Sequence, residues 1–195
     1  MSRPKEFEVS SALDAVLDSF WARGYEATSM SDLESSTGLS RSSLYSTFGN
    51  KRELFDAALA RYNEQIIEPT LQALESPGAG LQEFRRYFST LVKTLRGDPE
   101  LAVRGCLIVN TMVELAAQDD AAKKISGEYF ERVRKAIDNG LKGAAATKAG
   151  VTAPKFESRK IASSVMGALV IAHFNPELAA EICDQLSVEV SATYR

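Results

Sequence analysis

The chain has 195 residues, 45% hydrophobic and 25% charged, with a formal net charge of −3 and a pI near 5.4, enough to fold around its own core without disulfide or metal staples. No apolar run approaches the roughly 20 residues of a membrane span, and the opening MSRPKEFEVSS lacks the apolar segment of an export signal, so a cytoplasmic protein with no membrane partner is expected. Cys106 and Cys183 fit no metal-ligand spacing, and reduced thiols are expected of them.

Taken in chain order, nearly every segment repeats at helical spacing and none alternates as a strand does. In SSALDAVLDSFWARG, Leu13, Val16, Leu17, Phe20 and Trp21 form one apolar stripe, and Gly24 is a natural stop. TSMSDLESSTG predicts a short helix with Met30 and Leu33 inward, capped by Thr28 or Ser29, with Asp32 in its first turn. Gly38 breaks it, and Ser40 caps a second short helix carrying Leu44, Tyr45 and Phe48. Asn50 followed by Glu53 is the capping box of a longer helix, KRELFDAALARYNEQIIEPTLQAL.

SPGAG at 76–80 is the clearest linker-like break. Helical patterns resume in LQEFRRYFSTLVKTLRG and again from Val103 to Gln118. A long helix is expected over 121–146, where Ile125, Tyr129, Val133, Ile137 and Leu141 stand four apart. A loop then runs to Ala153-Pro154, followed by two helices, ESRKIASSVMGALVIAHF and PELAAEICDQLSVEVSATYR. Pro176 stands at a first-turn position where proline is tolerated. The single histidine, His173, lies in an apolar segment and reads as a core or interface residue rather than a ligand or base. No phosphate-cradling glycine loop, G-x-S-x-G elbow or H-E-x-x-H is present, and nothing argues for an enzyme, a metal or a cofactor.

The stretch TGLSRSSLYSTFGNK, 37–51, has the pattern of a helix-turn-helix. The turn needs a residue tolerant of unusual dihedrals, Gly38; the buried side needs anchors, Leu39, Leu44 and Phe48; the outer side needs small or polar groups. Ser40, Arg41, Ser42, Ser43, Ser46 and Thr47 are those outer groups. Residues 1–56 carry six basic and nine acidic side chains, yet 35–52 hold three positive charges, Arg41, Lys51 and Arg52, and no carboxylate. So local charge favours duplex DNA while the domain total does not, and a modest salt dependence follows. On pattern alone, a capped surface helix is the competing account.

From Ala12 to Leu59, through FWARGYEATSMSDL and STGLSRSSLYSTFGNKRELF, the chain closely resembles the DNA-binding domain of TetR-family transcriptional regulators. The resemblance implies an all-α fold. An N-terminal three-helix helix-turn-helix domain (1–50) would lead through a connecting helix (51–74) into a larger helical effector-binding and dimerisation domain (75–195). It further implies phosphate contacts from Thr28, Tyr45, Thr47 and Lys51, and base contacts from Arg41, Ser42, Ser43 and Ser46. Arg41 could equally reach a phosphate, which positions without specifying. Arg3 and Lys5 read either as an arm on the DNA backbone or as an unstructured tail. The sequence departs from the family pattern at Glu34 and Thr37, where alanine is usual, and at Thr47, where histidine is frequent; Glu34 is expected to point to solvent.

The last two helices offer stripes for a self-complementary interface. Ser163, Gly167 and Ile171, with Ser164, Ala168 and Ala172, line one helix with small residues, while Leu178, Ile182, Leu186 and Val190 line the next. By resemblance these would pair as a four-helix bundle in a homodimer bound to a palindromic operator; an intramolecular core would use the same stripes. The resemblance also implies a central pocket for a small apolar or aromatic effector, with Phe84, Tyr87, Phe88, Leu91, Asn110, Met112, Glu114, Tyr129, Phe130 and Met166 as candidate lining. Plain core is the alternative for each. Cys106, near a predicted helix start and beside Arg104, is either a thiol that reacts with electrophiles or oxidants or an inert small apolar residue. The expectation is a repressor released by a small molecule, with modification or oxidation of Cys106 as the alternative switch and a helical non-DNA-binding enzyme or interaction module as a third account.

Overall fold

A computed structural model describes residues 3–147 and 155–194, with side chains over 9–147 and 156–194; the Arg3 and Lys5 side chains and the Ala153-Pro154 loop lie outside them. Every regular element among the described residues is helical. The chain divides into two compact units, Met1–Ile67 and Glu68–Arg195.

The first unit contains α1 (Arg3–Arg23), α2 (Met30–Thr37), α3 (Arg41–Phe48), α4 (Lys51–Tyr62) and a π turn (Asn63–Ile67). Of the stripe expected on α1, Val16, Leu17 and Phe20 are buried, while Leu13 and Trp21 are half-buried. Phe20 and Phe55 meet edge to face at 5.0 Å, and Trp21 meets Tyr62 in the same way at 5.0 Å, which fastens α1 to α4. Full burial of a side chain such as Phe20 contributes about 1.5–3 kcal/mol. A polar clamp reinforces the same pair of helices. Arg61 donates through Nε to Asp14 Oδ1 at 2.8 Å and through Nη2 to Asp14 Oδ2 at 3.2 Å and Ser10 Oγ at 3.0 Å.

The helix expected over 51–74 is thus interrupted. Its π turn ends two residues before Pro69, which has no N–H for the carbonyl four residues back and would crowd a regular turn there.

The second unit contains α5 (Glu68–Glu75), α6 (Leu81–Gly97), α7 (Pro99–Ala102), α8 (Leu107–Leu115), α9 (Asp120–Ala146), α10 (Lys155–Ile171) and α11 (Pro176–Thr193). α11 packs on α6 and α10; α9 receives α5, α6, α8 and α10. Phe84, Phe88, Leu71, Leu74, Leu107, Val133, Ile137 and Leu141 fill the interior. Because α5 packs on α6 and α9, this unit begins at Glu68 and includes the end of the expected connecting helix.

The 76–80 segment is a tethered turn rather than a loose linker. Asn139 Nδ2 donates to Leu74 O at 2.7 Å and to Ser76 O at 3.0 Å, and Ala79 is buried. Gly143 makes this possible, since a Cβ there would run into the carbonyl of Ala79. The helix expected from Val103 to Gln118 covers only Leu107–Leu115, because the chain turns before it at Gly105, which has φ of +59°. A Cβ at that position would lie 2.8 Å from Leu169 O, so glycine lets the turn approach α10.

Candidate nucleic-acid interface

Two capping arrangements fix α2 and α3. Ser29, not Thr28, caps α2: Asp32 N donates to Ser29 Oγ at 3.1 Å, and Ser29 N returns a bond to Asp32 Oδ2 at 2.8 Å. The Ser29 hydroxyl, donating to Asp32 Oδ2 at 2.6 Å, then the Ser29 amide and Arg23 Nη1 at 2.6 Å, hold the Asp32 carboxyl down at about 2. Gly38, at φ +70°, ends α2. Thr37 then locks the turn, donating to Leu33 O at 2.6 Å and accepting from Leu39 N at 3.2 Å, bonds that alanine could not make.

Ser40 caps α3, its Oγ accepting from Ser43 N at 3.2 Å while lying 2.9 Å from both Ser42 Oγ and Ser43 Oγ. Leu44 is fully buried and anchors the helix, with Leu39 and Phe48 half-buried beside it. The outer face then carries Arg41, Ser42, Tyr45, Ser46 and Thr47, all exposed, with Ser40 at its head and Ser43 half-buried. Ser46 Oγ donates to Ser43 O at 3.0 Å. Asn50 and Glu53 form the expected capping box at the start of α4. Lys51, its first residue, holds Nζ 4.4 Å above the Tyr25 ring, a cation–π contact that orients the ammonium.

Two expectations are corrected. Thr28 is not on this surface: it is fully buried, and its hydroxyl donates to Gly24 O at 2.7 Å, closing the turn between α1 and α2. It has no side-chain donor left for a phosphate. Glu34 does not point away to solvent. Its Oε1 accepts from Arg41 N at 2.7 Å, and its Oε2 lies 3.7 Å from Arg41 Nε. The carboxylate-free surface read from 35–52 therefore has one carboxylate at its edge, contributed by α2. A neighbouring helix supplied it, so inspection of the segment alone missed it.

In the second unit, Phe84, Tyr87, Phe88, Tyr129 and Met166 are buried, and Leu91, Met112, Glu114 and Phe130 are half-buried. Phe88 packs against Phe84 at 4.8 Å and Tyr87 at 5.1 Å. Burial pushes the Tyr87 hydroxyl well above its ordinary pKa. Asn110 is committed elsewhere: Nδ2 donates to Arg104 O at 2.8 Å, and Oδ1 meets His173 Nε2 at 2.8 Å. His173 lies outside the core of this unit, exposed just beyond α10, where it braces the Gly105 turn.

Cys106 is the N-cap residue of α8, 3% exposed, with Sγ 3.7 Å from Tyr129 Oη. Burial raises the Cys183 thiol to about 12. On α10 and α11, Ser163, Gly167 and Leu178 are exposed and Ser164, Ile171 and Ile182 half-buried, whereas Ala168, Ala172, Leu186 and Val190 turn into the unit's own core. Leu186 is thus buried within its own unit, in a helix that packs on α6 and α10. Sequence reasoning missed Val170, Phe174 and Leu101, which expose 39%, 75% and 39% of their surfaces. Among the described residues no helix is long and apolar enough to cross a membrane.

Comparison with known proteins places this arrangement. Residues 12–58 match the pattern of bacterial regulatory proteins of the tetR family. The uncharacterized HTH-type transcriptional regulator YezE of Bacillus subtilis (strain 168) is 37% identical over 141 residues, covering 72% of this chain and 70% of that protein. The HTH-type transcriptional repressor ComR of Escherichia coli (strain K12) is 33% identical over 134 residues, 68% of this chain and 63% of that one. Among solved structures, a cysteine mutant of the TetR family transcriptional regulator CifR, complexed with 26bp double-strand operator DNA, superposes with a TM-score of 0.74 at 25% identity, covering 92% of this chain and 94% of that one. The chain belongs to the TetR family of helix-turn-helix transcriptional regulators.

Proposed function

We propose that the protein is a cytoplasmic homodimeric repressor that binds a palindromic duplex operator through the outer face of α3 and leaves it when a small apolar or aromatic molecule occupies the larger unit. The observation that carries the DNA-binding part is the ridge itself: Leu44 is wholly buried while Arg41, Ser42, Tyr45, Ser46 and Thr47 all face outward. Ser40 and Ser43 head the ridge, and Lys51 flanks it. A helix so anchored can enter a major groove with its N-terminal residues on base edges. The operator complex of CifR supports the same use of the fold.

A homodimer is supported by the apolar side chains left outside on one helical face and its neighbour, Val170, Phe174 and Leu178, running on from Ser163 and Gly167. Nothing lies within 4 Å of a Cβ built on Gly167, so a second helix has room to approach there. The aromatic and methionine set of the larger unit supports an apolar effector, and coupling would be reciprocal: an effector that lowers operator affinity is itself bound less tightly in the presence of operator.

Selection of bound sequences from random duplex DNA by the purified protein tests this function. The expected product is a palindrome with half-sites about 34–36 Å apart. Recovery of no sequence at low salt refutes it. A second account, switching through Cys106, is favoured by that residue's place at the start of α8. Cys106→Ser separates the two, since an inducer response that survives the substitution rules out thiol chemistry.

A further inference from the structure

We propose that Glu34 is a specificity-determining positioning residue: it turns Arg41 from a phosphate contact into a base reader. The role rests on the DNA-binding function above. The first amides of a helix lack intrahelical partners and form a ready site for a phosphate oxygen. On α3 two of these are already taken, Arg41 N by Glu34 Oε1 at 2.7 Å and Ser43 N by Ser40 Oγ at 3.2 Å. A carboxylate thus stands where a DNA backbone oxygen would otherwise sit, and it repels that oxygen.

The same carboxylate governs the side chain. Glu34 Oε2 lies 3.7 Å from the guanidinium Nε. The Arg41 side chain stays 54% exposed, so the guanidinium held at this edge can still reach outward to a base pair. Two parallel N–H donors are what guanine O6 and N7 accept, whereas a phosphate takes arginine from any side and carries no sequence information. Partial cancellation of the Arg41 charge also weakens attraction to any duplex regardless of sequence. Glu34 therefore lowers general affinity and raises discrimination at one base pair.

The test compares the full-length protein with Glu34→Ala and Glu34→Gln on the selected operator, on operators altered one base pair at a time, and on unrelated duplex, across a salt series. Glu34→Ala is expected to bind unrelated duplex more tightly, with a log K against log salt slope steeper by about 0.9, the value for one added phosphate. Its preference for the base pair beneath Arg41 is expected to fall about tenfold. Glu34→Gln keeps an oxygen for Arg41 N but loses the charge, so it should show the steeper slope with a smaller loss of preference. In an Arg41→Ala background, Glu34→Ala should change base preference no further.

Equal slopes and equal preferences in wild type and Glu34→Ala overturn the proposal. So does a uniform loss on every duplex at unchanged slope, the mark of a merely structural residue. If wild-type protein ignores every duplex at low salt, the DNA-binding function falls first and this role with it; a wild type that binds while Glu34→Ala behaves identically defeats this role alone.

Discussion

The two units solve the same problem by different means. The smaller one joins short helices, α2 and α3 having eight residues each, through side chains that close their ends: Ser29 with Asp32, Thr37 across the turn, Ser40 on α3, Asn50 with Glu53. The larger one lays long helices, α9 reaching 27 residues, close enough for backbone to touch backbone. Gly143 admits the carbonyl of Ala79, and Gly105 comes to the carbonyl of Leu169. Short elements cannot bury enough surface to fix their own ends, so hydrogen bonds do that work; the long helices are capped too, α9 by Asp119 and α11 by Asn175, but also gain from contact area, and the absence of a side chain sets their spacing.

The difference can be broken most sharply at Gly143. Gly143→Ala places a methyl group against backbone that cannot swing aside, and a loss of about 1–3 kcal/mol is expected from urea unfolding. Gly167→Ala is its control. It meets nothing within 4 Å, so the subunit should gain up to about 1 kcal/mol from helix propensity, while a dimer packed on that face should dissociate more readily in sedimentation.

In the smaller unit the expected losses come from single hydrogen bonds. Thr28→Val keeps the buried shape but removes the donor to Gly24 O, which should cost about 1–2 kcal/mol. The salt slope of DNA binding should stay unchanged, whereas a phosphate contact at this residue would make it shallower.

The smallest effect belongs to the Arg61–Asp14 clamp, whose partners are 26% and 46% exposed, and Arg61→Ala should cost about 0.2–1 kcal/mol near neutrality. Its pH dependence is more telling. The Arg61 hydrogen bond, offset by burial and helped by Gln65, holds the Asp14 carboxyl below its ordinary value. A carboxyl depressed in the folded state contributes stability above its unfolded pKa, near 3.9, and loses it as pH falls through the folded value. The gap between wild type and Arg61→Ala should therefore be constant above about pH 5 and close as the solution becomes more acid.

What the sequence disclosed follows the same division. Caps are local, so Ser40 and the Asn50–Glu53 box could be read from spacing, as could the inward stripes of α1 and α9. The family resemblance likewise rested on the smaller unit. Thr28, Glu34 and Gly105 were illegible for one shared reason. Each is defined by a backbone group outside its own helix: the turn carbonyl of Gly24 four residues back, the amide of Arg41 on the next helix, the carbonyl of Leu169 on α10. The stripes on α10 and α11 were visible, but periodicity does not say which stripe faces inward, so Leu186 was placed outside and Phe174 overlooked.

The hydroxyl groups at the head of α3 have a consequence of their own. A hydroxyl carries one rotatable hydrogen and two lone pairs, so the exposed Ser42 is able to present either polarity to whatever it meets, and Ser46 does the same once it gives up its bond to Ser43 O. Such a surface tolerates a purine exchanged for a pyrimidine by spinning a bond rather than losing one. Under the proposed operator contacts, variation opposite the serines should accordingly be forgiven, while the lone guanidinium, which has hydrogens alone to offer, would enforce a single letter. The promoters this protein recognises would share a rigid position in each arm and drift freely around it.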